Sequence, residues 1–405
     1  MTLNLSKLLN DVERSGLKAV VYGFGIAGKW LSAILQDRGF LLGIVDTDTK
    51  KWGVTFLDTI VTSPDCLPTE DRGEFILINT VIDVQDVIDT LQRISRRDSI
   101  ALGLYLDDLD HSDFLNWHPN LSGESTDFLR YSLEAVKVCH QGYYSKDKLF
   151  LRSIDVMITE KCSLKCLDCS NLMQYYQNPQ NITFQEVAKQ LDQLLERIDH
   201  LFEVRLIGGE PFMNRDIYRF MEYLIPLKKV SRIVVYSNAM IPIDLSRRDI
   251  LSNPKIVFSL TNYGPLAKNT QRVVEQLSSV GAYYRLHPPE NWTDSGVIYD
   301  FQRTREESRQ LFSDCCGKNL LTLSNGKIYR CPFAANADRL AAIPKDSANA
   351  VDVSAESDAI RRYCREIDYL PACNFCKGRS FNAPSIKPAR QIKIPINYER
   401  FENTP

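Results

Sequence analysis

The chain has 405 residues, 44% of them hydrophobic and 25% charged, with a net charge of -2, enough for two or three domains that each bury a core. No basic block stands out and no apolar run approaches the roughly 20 residues that span a bilayer, which excludes nucleic acid and membrane as expected partners. Met1 to Glu13 lacks a charged start followed by an apolar core, so no signal peptide is read and a cytoplasmic location is expected. The eleven cysteines then read as metal ligands in a reducing compartment rather than as disulfides, and the sequons at Asn120, Asn181 and Asn291 as chance matches.

The first predicted strand, Lys18 to Tyr22, runs into Gly23-Phe24-Gly25-Ile26-Ala27-Gly28 and a helical stretch from Lys29 to Asp37. A second strand, Leu41 to Val45, ends in Asp46. Strand, G-x-G-x-x-G, helix, strand and acid make the dinucleotide fingerprint: helix-terminal amides suit a diphosphate on Gly23, Gly25 and Gly28, and Asp46 suits ribose hydroxyls. Further strands are expected at Val54 to Val61, Phe75 to Thr80 and Ile100 to Tyr105, with a helix from Asp83 to Ile94, which gives an α/β, Rossmann-like domain over 1–110. No hydride-transfer apparatus accompanies it, so NAD or nucleotide binding, a docking role and an empty scaffold stay open, with a solvated strand end as the alternative for Asp46. Residues 111–150 read as a linker and a bridging helix through Phe128, Leu129, Leu133 and Val136, with Cys139 and Cys66 as packed thiols.

After the strand Ser153 to Ile158 come Cys162, Cys166 and Cys169, three thiolates on one turn. They suffice for three corners of a four-iron, four-sulfur cluster and leave the fourth iron open; zinc, the rival, wants four closed ligands. Thr183 and Glu186 predict a capping box for a helix whose face is Val187, Leu191, Leu194 and Ile198. Strands follow at Val204 to Ile207, Arg232 to Tyr236, Lys255 to Leu260 and Tyr283 to Leu286, and this alternation predicts a parallel sheet with crossover helices over 151–310. The strand ends carry Gly208-Gly209-Glu210-Pro211, Ser237, Asn238, Ser259 and His287, while Arg205 and Arg285 lie in strands, facing either a substrate or solvent.

The C-x3-C-x2-C group, followed in order by Gly-Gly-Glu-Pro at the next strand end, resembles the signature of the radical S-adenosylmethionine (SAM) superfamily. The resemblance implies a partial (β/α)6 TIM-type barrel, a SAM cluster on Cys162, Cys166 and Cys169, the SAM amino group on Gly208, Gly209, Glu210 and Pro211, and ribose contacts from Ser237, Asn238 and Ser259. The family's aromatic or apolar residue before the third cysteine is replaced by Asp168, so adenine contacts of that kind are not implied. Gly43 to Asp48 with Lys51, Trp52, Gly53 and Ser63-Pro64 resembles the small Rossmann domains attached to polysaccharide- and sugar-modifying proteins.

Cys316, Gly326, Cys331, Cys373 and Cys376 resemble the auxiliary-cluster arrangement of the SPASM/Twitch subgroup, implying a small Twitch domain over 311–405 and a second four-iron cluster on Cys316, Cys331, Cys373 and Cys376. Asn325-Gly326 between two short apolar runs predicts a hairpin. Zinc is again the rival. Position 382 is Asn and no cysteine follows Cys376, so a further auxiliary cluster is not expected. Cys315 and Cys364 are left over, as a substitute ligand, a thiol hydrogen donor or packed side chains; with His287 they are the catalytic candidates.

The resemblance implies reductive cleavage of SAM to a 5'-deoxyadenosyl radical, a reducing partner such as flavodoxin or ferredoxin, and hydrogen abstraction from a small-molecule substrate. A sugar, aminocyclitol or nucleotide-linked sugar is expected, undergoing dehydrogenation, dehydration or epimerisation. The alternatives are a peptide-modifying maturase and, from another class, a nucleotide-binding module whose clusters are structural.

Overall fold

The computed structural model describes residues 3–67, 75–94, 99–107, 126–145, 147–288, 292–380 and 383–401. The expected linker at 111–125, two of the sequons (Asn120 and Asn291) and Asn382 lie outside them. The chain forms two compact units, Met1–Phe150 and Leu151–Pro405.

In the first unit α1 (Leu5–Ser15) leads into β1 (Lys18–Tyr22), α2 (Ile26–Asp37), β2 (Leu41–Val45), β3 (Thr55–Phe56), β4 (Thr59–Thr62), β5 (Phe75–Asn79), α3 (Val84–Arg93), β6 (Ile100–Ala101) and α4 (Thr126–Tyr144). The sheet order is β3-β4-β2-β1-β5-β6, with β4, β2, β1, β5 and β6 parallel. From β1 the chain winds outward one way to β4 and then the other way to β6, so the carboxyl ends of β1 and β5 form the switch point. The apolar runs are explained by burial on both faces. Ala19 and Val21 of β1 enter a core with α1, α2 and α4, while Val20 and Tyr22 enter a second core with Val87 and Leu91 of α3. The helix read as a bridge, α4, packs Leu129, Leu133 and Val136 into the first of these cores.

Two expected strands are corrected. Val54 to Val61 is a hairpin, because Leu57 and Asp58 have φ of 50° and 60° and reverse the chain. Ile100 to Tyr105 is strand only to Ala101 and then a 3-10 turn, Leu102–Tyr105. Cys139 is buried as expected, whereas Cys66 is exposed at the end of the turn Pro64–Cys66 and is not a packed thiol.

The second unit opens with β7 (Phe150–Thr159), α5 (Phe184–Arg197), β8 (His200–Gly208), α6 (Ile217–Leu224), β9 (Val230–Ser237), α7 (Arg248–Leu251), β10 (Ile256–Thr261), α8 (Thr270–Ser279) and β11 (Tyr284–His287). It continues through β12 (Trp292–Thr293), α9 (Arg305–Ser313), β13 (Thr322–Ser324), β14 (Lys327–Tyr329), α10 (Pro332–Arg339), β15 (Ala350–Asp352), α11 (Ser357–Arg365) and β16 (Ser385–Ile386). One sheet runs β11-β10-β9-β8-β7-β13-β14-β15. Among the described residues five strands alternate with helices where six are expected of the full pattern; β12 pairs with β16, and β13 lies parallel to β7. Asn325 and Gly326, with φ of 50° and 73°, make the expected hairpin between β13 and β14.

Thr183 caps α5 by accepting from the Glu186 amide, but the Glu186 carboxylate accepts from Gln190, so the expected box is half formed. A complete box stands at Thr304 and Glu307. The sequon Asn181 engages its side chain inside the fold, accepting from Thr159 Oγ1 (2.7 Å) and donating to the Met213 carbonyl (3.2 Å).

Alternate residues of the central strands are sealed: Ile154, Val156, Ile158, Val204, Leu206, Ile233, Val235, Ile256, Phe258 and Leu260 are all buried. Strand alternation puts Asp155, Glu203, Arg205, Tyr236, Ser259, Arg285 and His287 on the opposite face. That face is open at Tyr236, which keeps 41% exposure although β9 has a strand on either side.

Candidate active site

The loop after β7 begins at Thr159, whose hydroxyl accepts from the Lys161 amide at 3.0 Å. It brings Cys162, Cys166 and Cys169 into one apolar patch with Leu164, Met240, Tyr263, Leu266, Trp292 and Ala389. Burial pushes the Cys166 thiol up to about 11, with Cys169 adding to it, and burial raises Cys162 and Cys169 too. Three soft sulfurs close enough to perturb one another, with water held back, fit a cluster that takes them as thiolates.

Beside this loop lies the turn that ends β8. Gly208 has a φ of 150°, and a Cβ there would stand 2.1 Å from the Thr159 carbonyl oxygen. A Cβ on Gly209 would meet the Lys161 carbonyl oxygen at 2.2 Å. The two glycines are thus required by the cysteine loop itself, which also accepts from Gly209 N (3.0 Å) and Glu210 N (2.7 Å). Glu210 is fully buried, and its carboxylate accepts from Ser237 Oγ (2.9 Å), Asn238 N (2.8 Å) and Phe212 N (3.2 Å). Burial pushes it up to about 7, against those three bonds. Two of these donors come from the end of β9, so Glu210 clamps two strand ends.

Pro211 is buried at the start of the turn Pro211–Met213. Asn238 returns to the cysteine loop through Ser163 (3.1 Å) and, at 3.7 Å, the Cys162 sulfur. Ser259 and His287 are half-buried on β10 and β11.

The partners of several site residues had no local signal. Asp168 is buried and receives both Nε (3.0 Å) and Nη2 (2.7 Å) of Arg390 on one oxygen. On the open face Arg205 donates to Glu203 at 2.7 Å and lies 3.8 Å from Asp155, with its guanidinium 6.0 Å from the Tyr236 ring centre. Asp155 is only 7% exposed, and among the described residues no hydrogen bond to its carboxylate is found.

At the C-terminal cysteines, Cys315 is an electrostatic neighbour of Cys331, Cys373 and Cys376, whereas Cys316 is exposed. Cys315 forms a β-bridge with Ser380, and Cys316 N donates to the Arg379 carbonyl (2.8 Å). Amides of Gly317 (3.4 Å), Ala334 (3.4 Å) and Gly378 (3.2 Å) donate to the sulfurs of Cys315, Cys331 and Cys376. Arg303 grips the C-x2-C turn, donating to the carbonyls of Cys373 and Cys376, both at 2.7 Å. Cys364 lies on α11, where its charged neighbours are Arg330 and Arg365 and burial pushes its thiol up to about 11.

In the first unit the Asp46 carboxylate is already engaged. It accepts from Phe24 N (2.6 Å), Asp48 N (2.8 Å) and Lys51 Nζ (3.0 Å). A Cβ on Gly28 would stand 1.8 Å from the Gly23 carbonyl oxygen, so Gly28 serves helix packing, whereas Gly25, the N-cap of α2, meets nothing within 4 Å.

Residues 156–265 match the model of the Radical SAM superfamily. The match spans 110 of the 405 residues, and a domain of that superfamily implies a four-iron, four-sulfur cluster, SAM, a substrate and a reductant. No curated protein matches the chain. Among solved structures it is similar to BtrN in complex with AdoMet and 2-DOIA, at 16% identity over 57% of this chain and 94% of that one, with a TM-score of 0.39. It is also similar to anSMEcpe with bound AdoMet and Cp18Cys peptide, at 19% identity over 33% of this chain and 42% of that one, with a TM-score of 0.27. Streptococcus suis SuiB bound to S-adenosylmethionine matches at 19% identity over 39% of this chain and 37% of that one, with a TM-score of 0.28. The chain thus spans less than half of two of these three proteins. Among the described residues no helix is long and apolar enough to cross a membrane.

Proposed function

We propose that the chain is a radical SAM enzyme of the SPASM/Twitch kind acting on a polar small molecule, a sugar, aminocyclitol or nucleotide-linked sugar. The observation that carries the mechanism is the gathering of Cys162, Cys166 and Cys169 in one apolar patch against the Gly208–Pro211 turn. These three residues would hold the SAM cluster. When bound, that cluster supplies the electron that cleaves SAM to methionine and a 5'-deoxyadenosyl radical, the species that takes hydrogen from substrate. The chain itself excludes water with Leu164, Met240, Tyr263, Leu266 and Trp292, and fixes the turn through Glu210, Ser237 and Asn238. Flavodoxin or ferredoxin is the reductant this reading calls for.

A second four-iron cluster is assigned to Cys315, Cys331, Cys373 and Cys376, within a Twitch domain over 311–405 that follows the barrel of 151–310. Amide donors on three of the four sulfurs suit metal-bound thiolates, and the cysteine motif of residues 162–169 earlier in the chain favours iron-sulfur over zinc. Residues 1–110 are read as a Rossmann-like domain, joined through 111–150, in a binding or docking role. The occupied carboxylate of Asp46 weighs against a ribose contact at that position.

A small polar substrate is supported by the open sheet face. Asp155 sits there as an acceptor without a hydrogen bond among the described residues, beside Arg205, Glu203 and Tyr236. Burial pushes its carboxyl up to about 6, with Glu203 adding and Arg205, Arg152 and Arg379 opposing. Its anionic form therefore grows as pH rises through about 6. Aminocyclitols, hexosamines and nucleotide sugars are expected to stimulate 5'-deoxyadenosine release above the basal rate, with KM falling as pH rises through that value. Asp155→Asn is expected to abolish this pH dependence and raise KM about tenfold, the loss of one charge-assisted hydrogen bond. Stimulation by peptides alone, unaffected by Asp155→Asn, would favour the maturase reading instead.

A further inference from the structure

We infer that Gln391 is a positioning residue for the SAM cluster, and that its side-chain N–H, donated to the Cys166 sulfur, raises the cluster's reduction potential. The inference rests on the reading of Cys162, Cys166 and Cys169 as cluster ligands. Residues 389–392 lie along the cysteine loop as an added strand, although more than 200 positions separate them in sequence. Cys166 forms a β-bridge with Gln391, Leu167 N donates to the Arg390 carbonyl (2.7 Å) and Ile392 N donates to the Lys165 carbonyl (2.8 Å).

The side chains continue this pairing. Gln391 Oε1 accepts from Lys165 N at 2.8 Å, and Nε2 lies 2.8 Å from the Ala389 carbonyl oxygen and 3.3 Å from Cys166 Sγ. The amide orientation is therefore fixed by its neighbours. A flip would set the carboxamide oxygen against the Ala389 carbonyl and the NH2 against the Lys165 N–H. Two hydrogens and two acceptors leave one N–H for the sulfur. The Arg390 guanidinium on Asp168 anchors the same segment one residue away.

A hydrogen bond to a ligating sulfur stabilises the more negative, reduced cluster over the oxidised one, so it shifts the potential upward. No bond is made or broken; one electron enters more easily from the donor. Gln391 is exposed whereas Cys166 is buried, so the side chain can be exchanged at the surface while the sulfur stays in place.

The test is a redox titration of the reconstituted full-length enzyme, followed by electron paramagnetic resonance without SAM. The spectrum of the Cys162/Cys166/Cys169→Ala protein supplies the auxiliary signal for subtraction. Gln391→Met keeps the length of the side chain without its N–H, and Gln391→Glu places a carboxylate oxygen toward the sulfur. Both are expected to titrate at lower potential than wild type, with Gln391→Glu lower than Gln391→Met. Where a variant loads less iron, the loaded fraction still reports its potential. Wild-type potentials in both variants would overturn the inference. A triple cysteine variant whose unsubtracted spectrum and iron content equal those of the wild type would instead sink the ligand reading beneath it.

Discussion

Cys315→Ala is expected to remove about four of about eight irons taken up on anaerobic reconstitution, whereas Cys316→Ala leaves the count unchanged. The two residues are adjacent, so composition and redox environment are the same for both variants, and only geometry separates them. Cys315 shares its electrostatic environment with Cys331, Cys373 and Cys376, and the Gly317 amide donates to its sulfur at 3.4 Å. The backbone of Cys316 is held by Arg379 while its side chain is exposed. The second site is read as built on four thiolates with no outside ligand to replace a missing one, whereas SAM would complete the three-thiolate cluster, so loss of the fourth cysteine is expected to empty the second site alone. Iron loss on Cys316→Ala, with none on Cys315→Ala, would reverse the assignment. About four irons with one zinc in the wild type would show that the second site is a zinc site.

Replacing Glu210 is expected to have the second largest effect. Glu210→Ala leaves the Ser237 hydroxyl and the amides of Asn238 and Phe212 without their acceptor in a fully buried place. At about 1–3 kcal/mol for each stranded group, the turn loses several kcal/mol. Both the melting temperature of the enzyme and SAM binding by calorimetry are expected to fall, with Glu210→Gln intermediate. In that variant one carboxylate oxygen becomes an NH2 facing another donor. A Glu210→Ala protein that melts and binds SAM as the wild type does would show that the turn is held some other way.

What was legible in the sequence is what is contiguous in it. Three cysteines within eight residues and Gly-Gly-Glu-Pro announce their chemistry without the fold, and the turn at Asn325-Gly326 needs only its own φ angles. Glu210 was visible as a residue but not as a clamp, because Ser237 and Asn238 come to it only through the pairing of β8 with β9. Asp155, Glu203, Arg205 and Tyr236 lie on three strands, and their meeting depends on sheet order. Gln391 and Arg390 carry no local signal at all, since they act by long-range strand addition. The choice of Cys315 over Cys316 turned on its being an electrostatic neighbour of Cys331, Cys373 and Cys376 while Cys316 is exposed, a matter that spacing does not reveal. The hairpin reversal at Leu57 and Asp58 was missed because two non-glycine residues take positive φ there.

The most direct measurement of the central claim is the yield of 5'-deoxyadenosine from SAM under anaerobic, reducing conditions, compared between wild type and the Cys162/Cys166/Cys169→Ala variant. The wild type is expected to form it and the variant to form none, while the variant keeps about four irons at its second site. Undiminished 5'-deoxyadenosine from the triple variant would contradict the assignment of these three cysteines to SAM cleavage.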